Sequence, residues 1–314
     1  MDAYVSVIGG INLDIKGVPT ATLRSATSNP GSVYTSSGGV GRNIAHNLAL
    51  LDIPVMLFGV VGGDAAGTQL LDELRHVGVN ADYVRVVEAH QTGMYLSILN
   101  ASHDLAVAIS GMAITDALDA AYLESCASIL QRSRFVVVET NVRTDVLKYI
   151  VALCAQFQIP CLIEPVSVEK SRKILDVPGS WHYMTPNADE LGAISHYPIR
   201  RFDDLPIACS RLAEKCRHIL VTLGKEGVYA YNCAARTGNH VLSKPTDVAD
   251  STGAGDAFVA GFISGVVRNC AEDLCIRMGI AAACFTVQST HTVEPNLSYN
   301  HCISLAMDEE ESKK

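Results

Sequence analysis

Asp250-Ser251-Thr252-Gly253-Ala254-Gly255-Asp256-Ala257-Phe258 is the stretch on which the reading of this chain turns. Glycines and a small alanine lead into an aspartate, and an apolar run of helical character follows. Such a turn can aim several backbone N–H groups from a helix N-terminus at one point, which makes an anion site. Only small residues let a phosphate approach that backbone closely. An acid set against an anion-binding turn is electrostatically awkward, so Asp256 reads as a reacting group. A turn that merely starts a helix is the plain alternative on this stretch alone.

A second glycine cluster, Gly38-Gly39-Val40-Gly41-Arg42-Asn43, lies near the other end, with Ile44, Leu48 and Leu51 following at helical spacing. It reads as another loop opening onto a helix, with Asn43 able to hydrogen-bond a polar ligand. Tight helix–strand packing is the structural alternative. Together the two clusters resemble the paired signatures of the ribokinase (PfkB) family of sugar and nucleoside kinases. The N-terminal one is similar to that family's Gly-Gly…Asn motif, the C-terminal one to its Asp-Thr-Xaa-Gly-Ala-Gly-Asp motif. The likeness runs over nearly the whole chain.

Composition sets bounds. The chain has 314 residues, 48% of them hydrophobic, which is ample for a core. Its 24 basic and 33 acidic residues give a net charge of −9 without a Lys/Arg-rich run, which disfavours a nucleic-acid polymer as partner. Met1-Asp2-Ala3-Tyr4-Val5 lacks the basic start of a signal peptide, and no apolar run has the length of a membrane span. The ten cysteines form no C-x-x-C pair and read as buried thiols of a reducing cytoplasm.

Short apolar runs alternate with helical patterns. Tyr4–Gly9, Val55–Val60, Phe135–Glu139, Pro160–Glu164 and His218–Leu223 read as strands; Gly67–Val77 and Thr144–Phe157 read as helices. That alternation predicts an α/β fold, a mainly parallel sheet covered by helices on both faces, in one ribokinase-like domain over residues 1–314. Ligands then bind at the carboxyl ends of the strands. Two segments, about 15–37 and 92–111, break the pattern. The first is turn-rich around a strand at Ser32–Thr35, and the second reads as Met94–Leu99 and Leu105–Ile109 about a polar turn. As in relatives, they are expected to form a small β lid, which the resemblance also makes a surface for a homodimer. Asp308–Lys314 reads as a charged, frayed tail.

The resemblance assigns roles residue by residue. Asp256 is the base for the acceptor hydroxyl, ionised if it keeps an ordinary aspartate pKa of about 3.9. Backbone at Gly253, Ala254 and Gly255 would stabilise the moving phosphoryl oxygens. Asn187 and Glu190 match an Asn-x-x-Glu motif, with Glu190 holding the waters of a hydrated Mg2+; the alternative is a helix cap followed by a surface acid. Thr222, Gly224 and Gly227 would meet ATP, in a loop that is not a Walker A sequence and also reads as a hairpin turn. Asn12 and Asp14 stand two apart, on one side of an extended chain, and suit the vicinal hydroxyls of a ribose, unless they form an Asx-type turn. Gly38, Gly39 and Asn43 would complete the ribose site. Potassium or another monovalent cation, activating in many relatives, would lie near Asp250 and Thr252, against Phe285–Thr290.

Within the family, Ser28–Gly31 and Gly38–Leu51 are most similar to the pseudouridine kinase subgroup. This implies ATP-dependent phosphorylation of a small nucleoside at its 5′-hydroxyl, with Ser28, Asn29 and Thr92 facing the base. Glu164 stands where that subgroup leads one to expect Asp. The alternatives are a ribokinase- or adenosine-kinase-like activity, or a catalytically idle sugar-binding regulator.

Overall fold

The computed structural model describes residues 3–100, 102 and 104–311, with side chains through 307. Its strands are β1 (Val5–Ile8), β2 (Asn12–Pro19), β3 (Gly31–Gly38), β4 (Val55–Gly62), β5 (Val84–Val87), β6 (Gly93–Leu99) and β7 (Leu105–Gly111). There follow β8 (Phe135–Glu139), β9 (Cys161–Glu164), β10 (Trp181–Met184), β11 (Cys216–Thr222), β12 (Val228–Asn232) and β13 (Thr237–Val241). A nine-stranded sheet has the order β13-β12-β11-β10-β9-β8-β1-β4-β5. Its ladders are parallel except where β12 and β13 join one edge as antiparallel strands.

Alternate side chains of these strands enter two separate cores, as a period of two requires. Val5, Val7 and Val137 pack with Ile44, Leu48, Phe258 and Phe262 from the helices Val40–Leu50 and Ala254–Val267. Ile8, Val136 and Val138 pack on the opposite face with Val146 and Ile150 from the helix Thr144–Phe157. Both faces are therefore covered, which is the layered architecture expected of near-continuous apolar strands. Chain order reverses at β1, which lies between β8 and β4. At such a switch point the carboxyl ends of neighbouring strands diverge and leave a crevice.

A second sheet, β3-β2-β6-β7, forms the lid. The segment expected to be mostly turn contains two eight-residue strands, β2 and β3, paired from Asn12↔Gly38 to Pro19↔Gly31. Pro19, Pro30 and Gly31 mark only the ends of that hairpin. The alternation Asn12-Leu13-Asp14-Ile15-Lys16 was the strand signal, and it begins before the expected boundary. Asp14, Lys16, Tyr95 and Ser97 share one face of the lid, set by the pairings Asp14↔Tyr95 and Lys16↔Ser97. The other face carries Val33, Val107 and Ile109, which are 72%, 53% and 64% exposed and have no protein surface over them. At the chain end, the helix Tyr299–Glu311 runs through the first part of the segment expected to fray; residues 312–314 lie outside the described residues.

Candidate active site

The first glycine cluster is shaped by backbone contact. Gly39 has φ of 102°, and a side chain there would run into the Gly10 carbonyl. A Cβ on Gly41 would lie 2.7 Å from the Gly9 Cα, so the helix Val40–Leu50 starts hard against the end of β1. Asn43 is thereby carried into the crevice. In the second cluster Gly253 has φ of 82° and approaches the Thr292 carbonyl, and the helix Ala254–Val267 begins with Asp256 in its first turn. Gly255 is different: a Cβ there would meet nothing within 4 Å. Its smallness serves no packing within the chain.

The two clusters meet at one hydrogen bond. Asn43 Nδ2 donates to Asp256 Oδ2 over 2.8 Å, and Asn43 Oδ1 accepts from Arg42 Nη1 over 3.1 Å. Asn43 is only 4% exposed. The side chain expected to complete the sugar site therefore also orients Asp256, with one amide N–H and one oxygen lone pair left over for a ligand. The expected ordinary pKa of Asp256 is corrected. Burial pushes it up to about 7, and Glu139 adds to the rise, against the lowering effects of Asn43 and Arg42.

Glu139 itself carries no site role in the sequence reading beyond ending a strand. Its carboxylate accepts from Gly10 N over 2.6 Å and from Asn141 N over 2.5 Å, which pins the loop after β1 to the end of β8. Burial raises its pKa. An acid closing the otherwise apolar run Phe135-Val136-Val137-Val138 at the carboxyl edge of the sheet was the available signal.

Asp250-Ser251-Thr252 forms a wall between two cavities. On one side a cleft of about 300 Å³ is lined by Thr222, Gly224, Gly227, Ser251, Ala254 and Gly255, with Phe258 and Val287 behind them. On the other, a cavity of about 530 Å³ under the lid is lined by Asp14, Lys16, Arg42, His46, Asp250 and Thr252, among others. Gly224 has φ of 59° and open space at its Cβ position, whereas a Cβ on Gly227 would collide with Val241 O of the hairpin. Both are at the cleft, but only Gly224 is free to approach a ligand.

Asp14 lines the lid cavity, and Asn12 Nδ2 behind it donates to Asp14 Oδ1 over 2.6 Å, leaving Asp14 Oδ2 and Asn12 Oδ1 as acceptors. Gly38 leaves room for that pair, since a Cβ there would run into the Asp14 carboxylate. Three residues expected near a base are not brought there. Thr92 is buried in a network with Asp64 and Gly62: its Oγ1 donates to Asp64 Oδ1 over 2.6 Å and accepts from Gly62 N over 3.0 Å. Ser28 is exposed in the β2–β3 turn. Asn29 bonds that same turn, to Arg24 N, Arg24 O and Thr27 O.

Asn187 and Glu190 form a capping box on the helix Ala188–Ser195, with Asn187 Oδ1 accepting from Glu190 N and Glu190 Oε2 from Asn187 N, each over 2.9 Å. The cap reading is thus present, and Glu190 Oε1 remains available. Burial raises Glu190, and burial raises Glu164 well above the carboxylate range, with Glu190 and Asp256 adding to it. Buried acids that repel one another suit a hydrated divalent cation arriving with a nucleotide. Glu164, longer than the expected Asp, accepts from the Thr185 hydroxyl and from Val166 N, so both of its oxygens serve the protein. Among the described residues no group of three or more His, Cys, Asp or Glu is placed to hold a metal alone.

Asp250 and the 285–290 stretch do adjoin, with Ala249 N and Asp250 N both donating to Val287 O. Asp250 Oδ1 accepts from Thr252 N and Oγ1, and the cation beside Oδ2 is Lys16 Nζ at 3.9 Å. These contacts tie the Asp250 carboxylate to its own turn and to the lid.

The pKa of Asp256 makes a testable link to stability. In the unfolded chain it titrates near 3.9 and in the folded one near 7. Its contribution is full below about pH 4 and is lost as pH rises through 7, a span worth ~4 kcal/mol. Asp256→Asn should therefore become steadily more stable relative to the parent between pH 4 and 8. Asn43→Ala, which removes a donor to the charged form, should shift that window upward. Urea unfolding of the three proteins across pH decides it, and parallel curves would contradict the buried acid.

Among known proteins, residues 2–298 match the pfkB family carbohydrate kinase pattern. A pseudouridine kinase of Escherichia coli (strain K12) is 32% identical over 308 residues, covering 98% of this chain and 97% of that protein. A guanosine-inosine kinase of Exiguobacterium acetylicum is 30% identical over 290 residues, covering 91% and 95%. In fold, the solved Arabidopsis thaliana ribokinase complexed with ribose and ATP superposes with a TM-score of 0.83 at 21% identity, covering 98% of this chain and 99% of that one. Two glycine-rich turns closing on one aspartate thus sit in a chain that belongs to the pfkB family of carbohydrate kinases, phosphotransferases with an alcohol group as acceptor.

Proposed function

We propose that this kinase transfers the γ-phosphoryl group of ATP to the 5′-hydroxyl of pseudouridine, within one domain that carries the lid. The carrying observation is that Asn43 holds a buried Asp256 in the first turn of the helix whose leading residues, Ala254 and Gly255, line the cleft. ATP in the apolar cleft would present its phosphates to the N–H groups of Gly253, Ala254 and Gly255 at a helix N-terminus. The nucleoside in the lid cavity would set its 2′- and 3′-hydroxyls on Asn12 and Asp14 and its 5′-hydroxyl toward Asp256. A base with pKa near 7 takes that proton readily at neutral pH. Mg2+, held through water by Glu190, supplies charge neutralisation for the phosphates when bound. Asp14, whose pKa burial raises, keeps its charge favoured by Asn12, Arg42 and Lys16.

The substrate choice is supported by the 32% identical relative named for pseudouridine. The relative named for guanosine and inosine, at 30%, makes a purine nucleoside the second reading. An idle sugar-binding regulator would have no use for a buried Asp256 held by Asn43 at a helix start that lines the cleft. The apolar outer face of the lid is proposed to cover itself against a second copy of this chain.

Three measurements test these statements. Asp256→Asn should lower kcat by roughly two to four decades with KM for ATP little changed, and near-normal turnover by a folded variant would remove Asp256 from the mechanism. In a substrate panel, pseudouridine should show a higher kcat/KM than free ribose, adenosine or fructose 6-phosphate, with uridine the nearest competitor. Ribose or adenosine as best substrate would overturn the subgroup while leaving the kinase intact. For the lid, sedimentation at micromolar concentration should give a dimer that Ile109→Glu dissociates; a monomeric parent rules the pairing out.

A further inference from the structure

Among the described residues, the helix Val40–Leu50 carries buried polar atoms without a hydrogen-bond partner on Arg42, His46 and Asn47, of which Arg42 and His46 line the lid cavity. Arg42 is 5% exposed. Its Nη groups are engaged by Ser37 O, Asn43 Oδ1 and Glu73, yet its Nε has no hydrogen-bond partner. His46 Nδ1 is also buried and unpartnered. Four residues apart on a helix, the two side chains share a face. Both line the lid cavity that also holds Asp14.

Buried polar atoms without partners cost free energy. The Arg42 and His46 side chains line a cavity of about 530 Å³, within the range of sites for ligands larger than a pentose. Arg42 Nε is an obligate donor. His46 is neutral near pH 7, because burial and the Arg42 charge push its pKa down to about 4. With its proton on Nε2, Nδ1 is an acceptor. The pair therefore offers one donor and one acceptor about one helical turn apart, with Tyr95 and Ser97 of the lid lining the same cavity.

We propose that Arg42 and His46 read the heterocyclic base of the nucleoside, Arg42 Nε–H bonding a ring carbonyl and His46 Nδ1 accepting from the neighbouring ring N–H. A uracil-type imide edge has this pattern. The inference rests on the nucleoside-kinase reading of the same cavity and assigns the base contacts that Ser28, Asn29 and Thr92 do not make. It does not separate pseudouridine from uridine, since both rings carry such an edge.

Binding to the purified full chain tests it by calorimetry, with uridine, N3-methyluridine and free ribose as probes. Uridine has a single ring N–H, so its methylation should weaken binding to the unaltered protein by roughly tenfold or more. His46→Ala should weaken uridine by a similar factor, leave ribose unchanged, and bind uridine and N3-methyluridine alike. His46→Asn, whose amide oxygen can occupy the Nδ1 position, should recover most of the loss. Arg42 is left intact because it also holds Asn43. Equal binding of uridine and its methyl derivative by the parent overturns the proposal whatever the variants do. Equal loss of ribose and uridine in His46→Ala assigns the residue to packing and overturns it too. Ribose bound and phosphorylated in preference to nucleosides defeats the base site but spares the kinase; no phosphorylation of any panel member defeats both.

Discussion

The hydrogen bond from Asn43 to Asp256 joins residues 213 positions apart, and the site depends on it. It exists only if two helices start at the same point of the crevice. One start is fixed by the close approach of Gly41 to Gly9 and of Gly39 to Gly10. The other is fixed by Gly253 against Thr292. The helices Val40–Leu50 and Ala254–Val267 then pack along the same sheet face, with Ile44, Leu48, Phe258 and Phe262 in one core. A hydrogen bond to an ionisable group is strong where water is excluded, and it fixes direction as well as distance. Asp256 is therefore aimed by the fold rather than by its own rotamer preference.

Burying that aspartate has a cost, which its neighbours increase. Glu139, Glu164, Glu190 and Asp256 all have raised pKa values, with burial the largest cause in each case. Desolvation and mutual repulsion both disfavour their charged forms. Glu139 and Glu164 offset part of this by accepting backbone N–H groups at the ends of β8 and β9. The same bonds hold the loops that border the crevice. These carboxylates thus act as fasteners as well as sources of field, and a cation entering with a nucleotide meets acids already gathered at the sheet edge.

Much of this was legible in the sequence. Phe135–Glu139 and Thr144–Phe157 form with the expected boundaries, because apolar period and local turn signals agree there. The glycine clusters and Asp256 were visible because few structures need small residues beside an acid. What was not legible depends on distance in space. Asn43 could bond a sugar or a residue far along the chain, and nothing local distinguishes the two. Thr92 lies close in sequence to the lid strands, yet its hydroxyl is fixed by Asp64 at the start of the helix Ala65–His76. Ser28 and Asn29 sit at a hairpin tip, a position decided by the register Pro19↔Gly31 and not by their own chemistry. β2 alternates as a strand with one solvated face would, although its polar side faces a cavity, and that difference is not local to the sequence.

The lid inverts the usual relation between the faces of a sheet. In β2 and β6, Asp14, Lys16, Tyr95 and Ser97 point toward the enclosed side, and the apolar Val33, Val107 and Ile109 of β3 and β7 point outward. A sheet that bound water on both sides would place such residues singly, and contiguous exposed apolar surface is uncommon on a monomer. The polar face is explained by the cavity, whose contents need hydrogen bonds. The apolar face has no such explanation within one chain. Because successive residues alternate sides, the register that sends Asp14 and Lys16 inward necessarily sends Leu13 and Ile15 the other way. The composition of the outer face is thus coupled to the register that builds the substrate cavity, and any surface covering the lid also holds the site's polar residues in place.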